Sequence, residues 1–326
     1  MSSRGIVPEG EMRQKAGLRR ACAALVAAIV IAVMGNPMPA WARSHQQTFE
    51  ALEPAVQALV DAVRKNDTKA VVAILGPEGR ALVSSGDPVL DRQHRESFLK
   101  SYDAAHRLEG GGGKVVLYTG PEDFPMPIPL VPDGPVWRWD TGAGREEILN
   151  RRIGRNELAT IQVCLAYVDA QREYYAEPRG KDGVLQYAQR VSSSPGKRDG
   201  LYWDTKQGEK PSPLGPLIAR ARTEGYAGKP DSGFAAYHGY LYRILTAQGP
   251  DAPDGALDYV AGGRMIGGFA LVAFPAQYGV SGVMTFIVNH DGVVYEKDLG
   301  PQTGASARQM KRFNPDQTWK KAPPSS

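Results

Sequence analysis

The side chains best equipped for chemistry in this 326-residue chain fall in two short stretches. Arg151, Arg152 and Arg155 crowd one helical segment and make the best anion-binding cluster in the sequence. A guanidinium fork meets carboxylate and phosphate oxygens in pairs, so the matching ligand is an acidic glycan, a lipid headgroup or an acidic partner. Solvated helix charge is the plainer account. The stretch "YHGYLYRI" gathers aromatic rings. Read as a strand, it puts His238, Tyr240, Tyr242 and Ile244 on one face and Tyr237, Leu241 and Arg243 on the other. One face packs in a core, and the other is either an aromatic recognition surface or ordinary sheet packing. The candidate ligand-binding residues are therefore Arg151, Arg152, Arg155, His238, Tyr240 and Tyr242.

Other reactive patterns lack their context. Ser281 lies in Gly279-Val280-Ser281-Gly282-Val283, which has valine where a nucleophile elbow has its second glycine, and it falls between two strands rather than a strand and a helix. His290 and Asp291 are adjacent and would diverge on a strand, whereas "NHDG" suits a hairpin turn. The remaining histidines outside the N-terminal 42 residues, His45, His94, His106 and His238, show no H-x-x-x-H spacing and none sits beside a cysteine, so no metal site is expected. His94 and His106 read as solvent-facing helix residues, with a pocket-lining role for one of them as the alternative. Glu146 and Glu147 diverge by about 100 degrees on a helix and make no acid-base pair. Asp182-Gly183 has the turn of a calcium loop, but Pro178, Gly180 and Gln189 occupy its ligand positions. With no phosphate loop or dinucleotide fingerprint either, no catalytic residue, metal or cofactor is expected.

These residues must be positioned by an α+β fold. "TFEALEPAVQALVDAVRKNDTKAVVAIL" predicts two helices, with Thr48 capping the first and Asn66-Asp67 separating them, and Asp91 to His106 predicts a third. A four-glycine turn at 110–113 precedes the strand "KVVLYTG", and "PMPIPLVPDGPVWRWDT" reads as two strands around Pro132-Asp133-Gly134, with Trp137 and Trp139 on one face closing a core. Thr141 to Tyr175 is helical, interrupted at Gly154 and recapped by Asn156. Within it, Leu158, Ile161, Cys164, Leu165 and Val168 form an apolar stripe that makes Cys164 a buried, inert thiol. Pro213 starts a short helix. Three apolar runs, "FALVAFPAQ", "VMTFIVNH" and "GVVYEKD", then follow as an antiparallel meander, and the final residues 320–326 are expected to be disordered.

At the N-terminus, Arg13, Lys15, Arg19 and Arg20 precede an apolar run from Ala21 to Met34, too short to span a bilayer comfortably, and Ala40-Trp41-Ala42 supplies the small residues of a signal-peptidase site. Cleavage after Ala42, a periplasmic or secreted location and no stable membrane span are expected; an uncleaved anchor is the alternative. Losing residues 1–42 takes the chain from 39 basic and 35 acidic residues to 34 and 33, so its basicity belongs to the leader and does not point to nucleic acid. Cys164 is then the sole cysteine, which excludes an intramolecular disulfide.

Several stretches carry resemblances. The helices and Trp-x-Trp hairpin of residues 43–141 resemble the cone of nuclear-transport-factor-2-like domains. The long helix and meander of 142–319 are similar to the globular part of type IV pilins and pseudopilins, on Ala273, Pro275, Gly279, Ser281, Gly282, Phe286, Val288, Gly292, Val294 and Tyr295; the leader departs from the pilin pattern, with Cys22 where an acidic residue stands. More extensively, "SSGDPVLDRQHRESFLKSYDAAHRL", "GREEILNRRIGRNELATIQVCLAYVDAQREYY", "PGKRDGLYW", "YHGYLYRILTAQGP" and "GGFALVAFPAQYGVSGVMTFIVNHDGVVYEKDLG" resemble the exported Gram-negative family catalogued as domain of unknown function 2950, from about residue 48 to 319. That resemblance implies membership without an assigned activity. The expected function is a non-catalytic envelope factor for binding or assembly, whose partner is an unknown envelope protein or glycan. The alternatives are an envelope hydrolase or transferase with its site in the N-terminal pocket, and a minor pilus-associated subunit.

Overall fold

A computed structural model describes residues 46–179, 182–226 and 236–323. The expected leader and its cleavage site lie outside the described residues, as does His45. Two five-stranded antiparallel sheets, each with its own helical cover, are joined by one long helix, with a two-stranded and a three-stranded sheet besides, and the described residues from 46 onward belong to one compact unit.

The N-terminal part begins with α1 (Leu52–Arg64) and α2 (Thr68–Leu75), separated at Asn66-Asp67 as expected, with the Asp67 carboxylate capping α2 through the Ala70 N–H. Thr48 does not cap α1: the Phe49 backbone exchanges two hydrogen bonds with Trp137, which keeps the chain extended until Ala51. A short 3-10 turn leads to α3 (Arg80–Val83) and α4 (Pro88–Ala104). The α4 helix stops before His106, because His106 already opens strand β1 (His106–Gly111). That strand pairs with β2 (Lys114–Thr119) across Gly112-Gly113, both at positive φ, the conformation that a two-residue hairpin turn requires. The short β3 (Phe124–Pro125) and the hairpin of β4 (Leu130–Asp133) and β5 (Val136–Trp139) complete a five-stranded sheet. Trp139 is fully buried, and its indole N–H donates to the Ala55 carbonyl, so the hairpin closes the α1–α2 core as expected.

Helix α5 (Thr141–Tyr175) runs 35 residues without a break. Gly154 does not interrupt it: one mid-helix glycine costs only about 1 kcal/mol, and packing along the whole length outweighs that. Its first half meets the N-terminal core through Ile148, and its second half meets a larger core through Ile161, Cys164, Tyr167, Val168 and Tyr174. Burial pushes the Cys164 thiol up to about 12, so it is protonated and inert at neutral pH.

Beyond α5, helix α6 (Gly215–Thr223) starts two residues after Pro213, with Pro216 in its first turn. The C-terminal part comprises β6 (Tyr240–Leu245), the short strands β7 (Ala247–Gln248), β8 (Leu257–Asp258), β9 (Val260–Ala261) and β10 (Arg264–Met265), then β11 (Ala270–Pro275), β12 (Met284–Asn289), β13 (Val294–Asp298), α7 (Thr303–Gln309), β14 (Arg312–Phe313) and β15 (Lys320–Lys321). The principal sheet has the order β15-β13-β12-β11-β6, all antiparallel, and its core holds Phe269, Phe274, Phe286 and Phe313. The expected meander is β11-β12-β13, and "NHDG" is its tight turn, closed by the Gly292 N–H on the Asn289 carbonyl. The tail expected to be disordered from 320 instead begins as β15, which caps the β13 edge.

Candidate binding site

The start of α4 organises the site. Asp87 is fully buried, and one carboxylate oxygen accepts the Val89 and Leu90 N–H groups while Pro88 fills the position where a helix needs no donor. The other oxygen accepts the Tyr226 hydroxyl at 2.8 Å and the Gly239 N–H at 2.9 Å. One carboxylate thus ties the first turn of α4 to chain more than a hundred residues away. His238 and Gly239, at φ +51 and +75, are the central residues of a tight turn between Tyr237 and Tyr240. His238 is therefore not on a strand face with Tyr240 and Tyr242, as the alternation suggested; the turn lifts its imidazole out of the sheet register. Its Nε2 lies 3.3 Å from a Glu224 carboxylate oxygen and its ring centroid 4.2 Å from that of Tyr237.

On another side of α4 lies a hollow of about 290 Å³. Leu59, Val71, Leu75 and Ile128, all nearly inaccessible, form its floor, and Val63, Phe98, Met126 and Ile148 its apolar wall. The polar groups that reach it are Asp91, His94, Arg95, Arg152 and Arg155. Asp91 is already engaged, accepting the Ser85 N–H and hydroxyl. Arg152 is buried and donates to the carbonyls of Ala81 (2.7 Å) and Leu82 at the end of α3, and burial lowers its pKa. Among the described residues, Arg95 and Arg155 have no carboxylate at ion-pair distance. Burial first, then the nearby charges of Arg155 and Arg152, hold the His94 imidazole below its ordinary range against the opposing pull of Asp91 and Asp87, so it is neutral at pH 7. An apolar floor under a mouth where three arginines outnumber the one aspartate suits an anion with an apolar body. Another opening, an exposed groove of about 1240 Å³, mixes Lys69, Arg80 and Arg145 with Glu78 and Glu146 and offers no such convergence.

The candidate arginines separate. Arg151 faces solvent and pairs with Glu147 one turn back, Arg152 braces α3, and only Arg152 and Arg155 reach the hollow. Tyr240 is buried and donates to the Met284 carbonyl, and the Tyr242 hydroxyl lies between Thr160 and the Tyr237 carbonyl; both are sheet packing, and no aromatic recognition surface forms there. Asn156 caps nothing and donates to the Ser281 carbonyl, while the buried Ser281 hydroxyl closes a turn on Gln277. His94 lines the hollow, so the pocket alternative holds for it, and His106 stacks on Tyr102 at 3.9 Å. His290 and Asp291 approach to 3.9 Å within their turn, where Asp291 is held by Asn289. Asp87 and Arg95 were missed by motif reading. "SGDP" carries a helix-cap signal, aspartate before a first-turn proline, that locates Asp87 from sequence.

Among the described residues, no group of three or more His, Cys, Asp or Glu side chains is placed to hold a metal ion, and no helix is long and apolar enough to cross a membrane. A family model described as "Protein of unknown function (DUF2950)" matches residues 46–322. No curated protein and no solved structure matches the chain. The pilin and nuclear-transport-factor-2-like likenesses thus rest on element order alone.

Proposed function

This chain belongs to the DUF2950 family, and for it we propose a binding role, without catalysis, in which the hollow beside α4 captures a small anion with an apolar body in the cell envelope. One observation carries the reading: an almost wholly apolar floor lies beneath Arg95 and Arg155, two guanidiniums with no carboxylate partner among the described residues. The hollow has about twice the volume of an engineered cavity that takes up benzene, enough for a medium-length acyl chain. A covalent mechanism would need an activated nucleophile in the same space. The lining contains no Ser, Thr, Cys, Tyr or Lys for the neutral His94 imidazole to activate, and Asp91 is engaged by Ser85, which favours binding over group transfer through the protein.

The test is calorimetric titration of the full chain with decanoate, 1-decanol and inorganic phosphate. Decanoate should bind one to one, with the alcohol and the phosphate each at least about tenfold weaker, since a charge-assisted hydrogen bond contributes about 1.5–3 kcal/mol and tenfold is about 1.4. Equal affinity for decanol and decanoate, or no heat with either, would remove the reading.

A further inference from the structure

A second place has different chemistry. Where "VSSSPGKRDGLYWD" folds back on itself, hollows of about 290 and 310 Å³ share Tyr202, Trp203 and Asp204 as a common wall. Ser193, Ser194, Lys197 and Arg198 complete the first, and Thr205, Ser212 and Arg222 are prominent in the second. Hydroxyls and charges are prominent in both, in contrast to the apolar hollow beside α4.

Three features indicate what this cleft takes. First, the rings are covered by cations: the Arg179 guanidinium lies 5.3 Å and that of Arg198 5.4 Å from the Trp203 ring centroid, and that of Arg222 5.3 Å from Tyr202. Recognition there proceeds through hydrogen bonds and charge rather than through a bare aromatic face. Second, Ser212 is 2% exposed with no partner for its hydroxyl, and the Trp203 indole N–H is likewise buried and unpaired. Buried donors are nearly always satisfied in native proteins, so an unpaired hydroxyl on the wall of a polar hollow marks a place that a ligand completes. Third, Gly215 and Pro216 bring the N-terminal end of α6 to the second hollow; the Gly215 N–H is taken by the Ser212 carbonyl and Pro216 has none, so this end offers an anion its dipole rather than a row of free donors. Of the lining cations, Arg222 pairs with Asp204 at 3.4 Å and Arg198 with Glu209 at 3.8 Å, while Lys197 has no carboxylate at ion-pair distance among the described residues.

We propose that this two-lobed cleft binds an acidic saccharide, one hydroxyl-rich ring in each lobe, with the carboxylate of one ring at the α6 N-terminus beside Arg222 and Ser212. The site is separate from the hollow beside α4, so either can fail without the other.

Titration of the full chain with digalacturonate, cellobiose and inorganic phosphate, followed by calorimetry, tests it. Digalacturonate should bind at least tenfold more tightly than cellobiose or phosphate. Arg222→Gln and Lys197→Ala should each weaken it about fivefold or more with the unfolding midpoint unchanged. Ser212→Ala should weaken binding while leaving stability unchanged or raised, because its hydroxyl has no partner to lose; a merely structural serine would show the reverse. Arg155→Glu, in the other hollow, should leave digalacturonate binding intact. Cellobiose binding as tightly as digalacturonate, phosphate matching it, binding unaffected by the three cleft variants, or no heat at millimolar concentration would each overturn the proposal.

Discussion

Replacing Asp87 with alanine should destabilise the protein more than any other single polar truncation near α4. The carboxylate caps α4 through Val89 and Leu90, and losing such a cap costs about 1 kcal/mol. Its other oxygen is the acceptor for the Tyr226 hydroxyl and the Gly239 N–H, and leaving a buried donor unpaired costs about 1–3 kcal/mol each. The expected loss is about 3–7 kcal/mol, a large part of the usual 5–15 kcal/mol stability of a folded domain. Urea unfolding followed by circular dichroism reads it directly, with Tyr226→Phe and the double variant completing a cycle. Tyr226→Phe alone should cost about 1–1.5 kcal/mol, and the double variant less than the sum of the singles by at least about 1 kcal/mol, since both act through one hydrogen bond. A loss below about 1 kcal/mol for Asp87→Ala, or strict additivity in the cycle, would refute the claim that this carboxylate clamps the His238-Gly239 turn to α4.

Other perturbations follow from the same contacts. Arg151→Ala should change stability by less than about 0.5 kcal/mol because its partner is another exposed side chain, whereas Arg152→Ala, which strips the carbonyls of Ala81 and Leu82 of their donors, should cost about 3 kcal/mol in the same urea assay. Gly154→Ala should stabilise α5 by about 0.5–1 kcal/mol, with open space around the new methyl, but Gly144→Ala should destabilise by about 1–3 kcal/mol because its methyl would strike the Pro127 backbone. Burial lowers the pKa values of both His94 and His238, so the unfolded chain binds more protons than the folded one just below the ordinary histidine range. Stability should therefore be complete above about pH 7 and fall as acid passes below about 6.5, with the slope reduced in His94→Gln; a midpoint that stays flat from pH 7.5 to 5.5 would contradict this.

Much of the architecture was legible in local pattern. Alternation and turn residues marked β11, β12, β13 and the "NHDG" hairpin, a same-face Trp pair marked the β4–β5 closure, and a helical stripe placed Cys164 inside. Patterns failed where tertiary contact overrode a local preference. Gly154 sits in a helix that two cores hold straight, and β1 is readable only through its partner, since "HRLEGG" has neither alternation nor β-branched residues. The site was less legible than the fold. Arg151 and Arg152 serve different purposes because neighbours on a helix point about 100 degrees apart, and Arg155, three residues beyond Arg152, reaches the hollow with it. His238 looked like a strand residue until its positive φ showed it in a turn. The 139-residue separation between Asp87 and Tyr226 leaves no local trace at all.

The central claim is that the hollow beside α4 receives the apolar body of an anion. A crystal structure of the full chain with 10-bromodecanoate, the bromine located by its anomalous signal, tests this most directly. The bromine should lie against Leu59, Val71 and Ile128, with the carboxylate turned toward Arg95 and Arg155 at the mouth. A bromine bound anywhere else, or a carboxylate buried at the floor with the chain pointing outward, would contradict it.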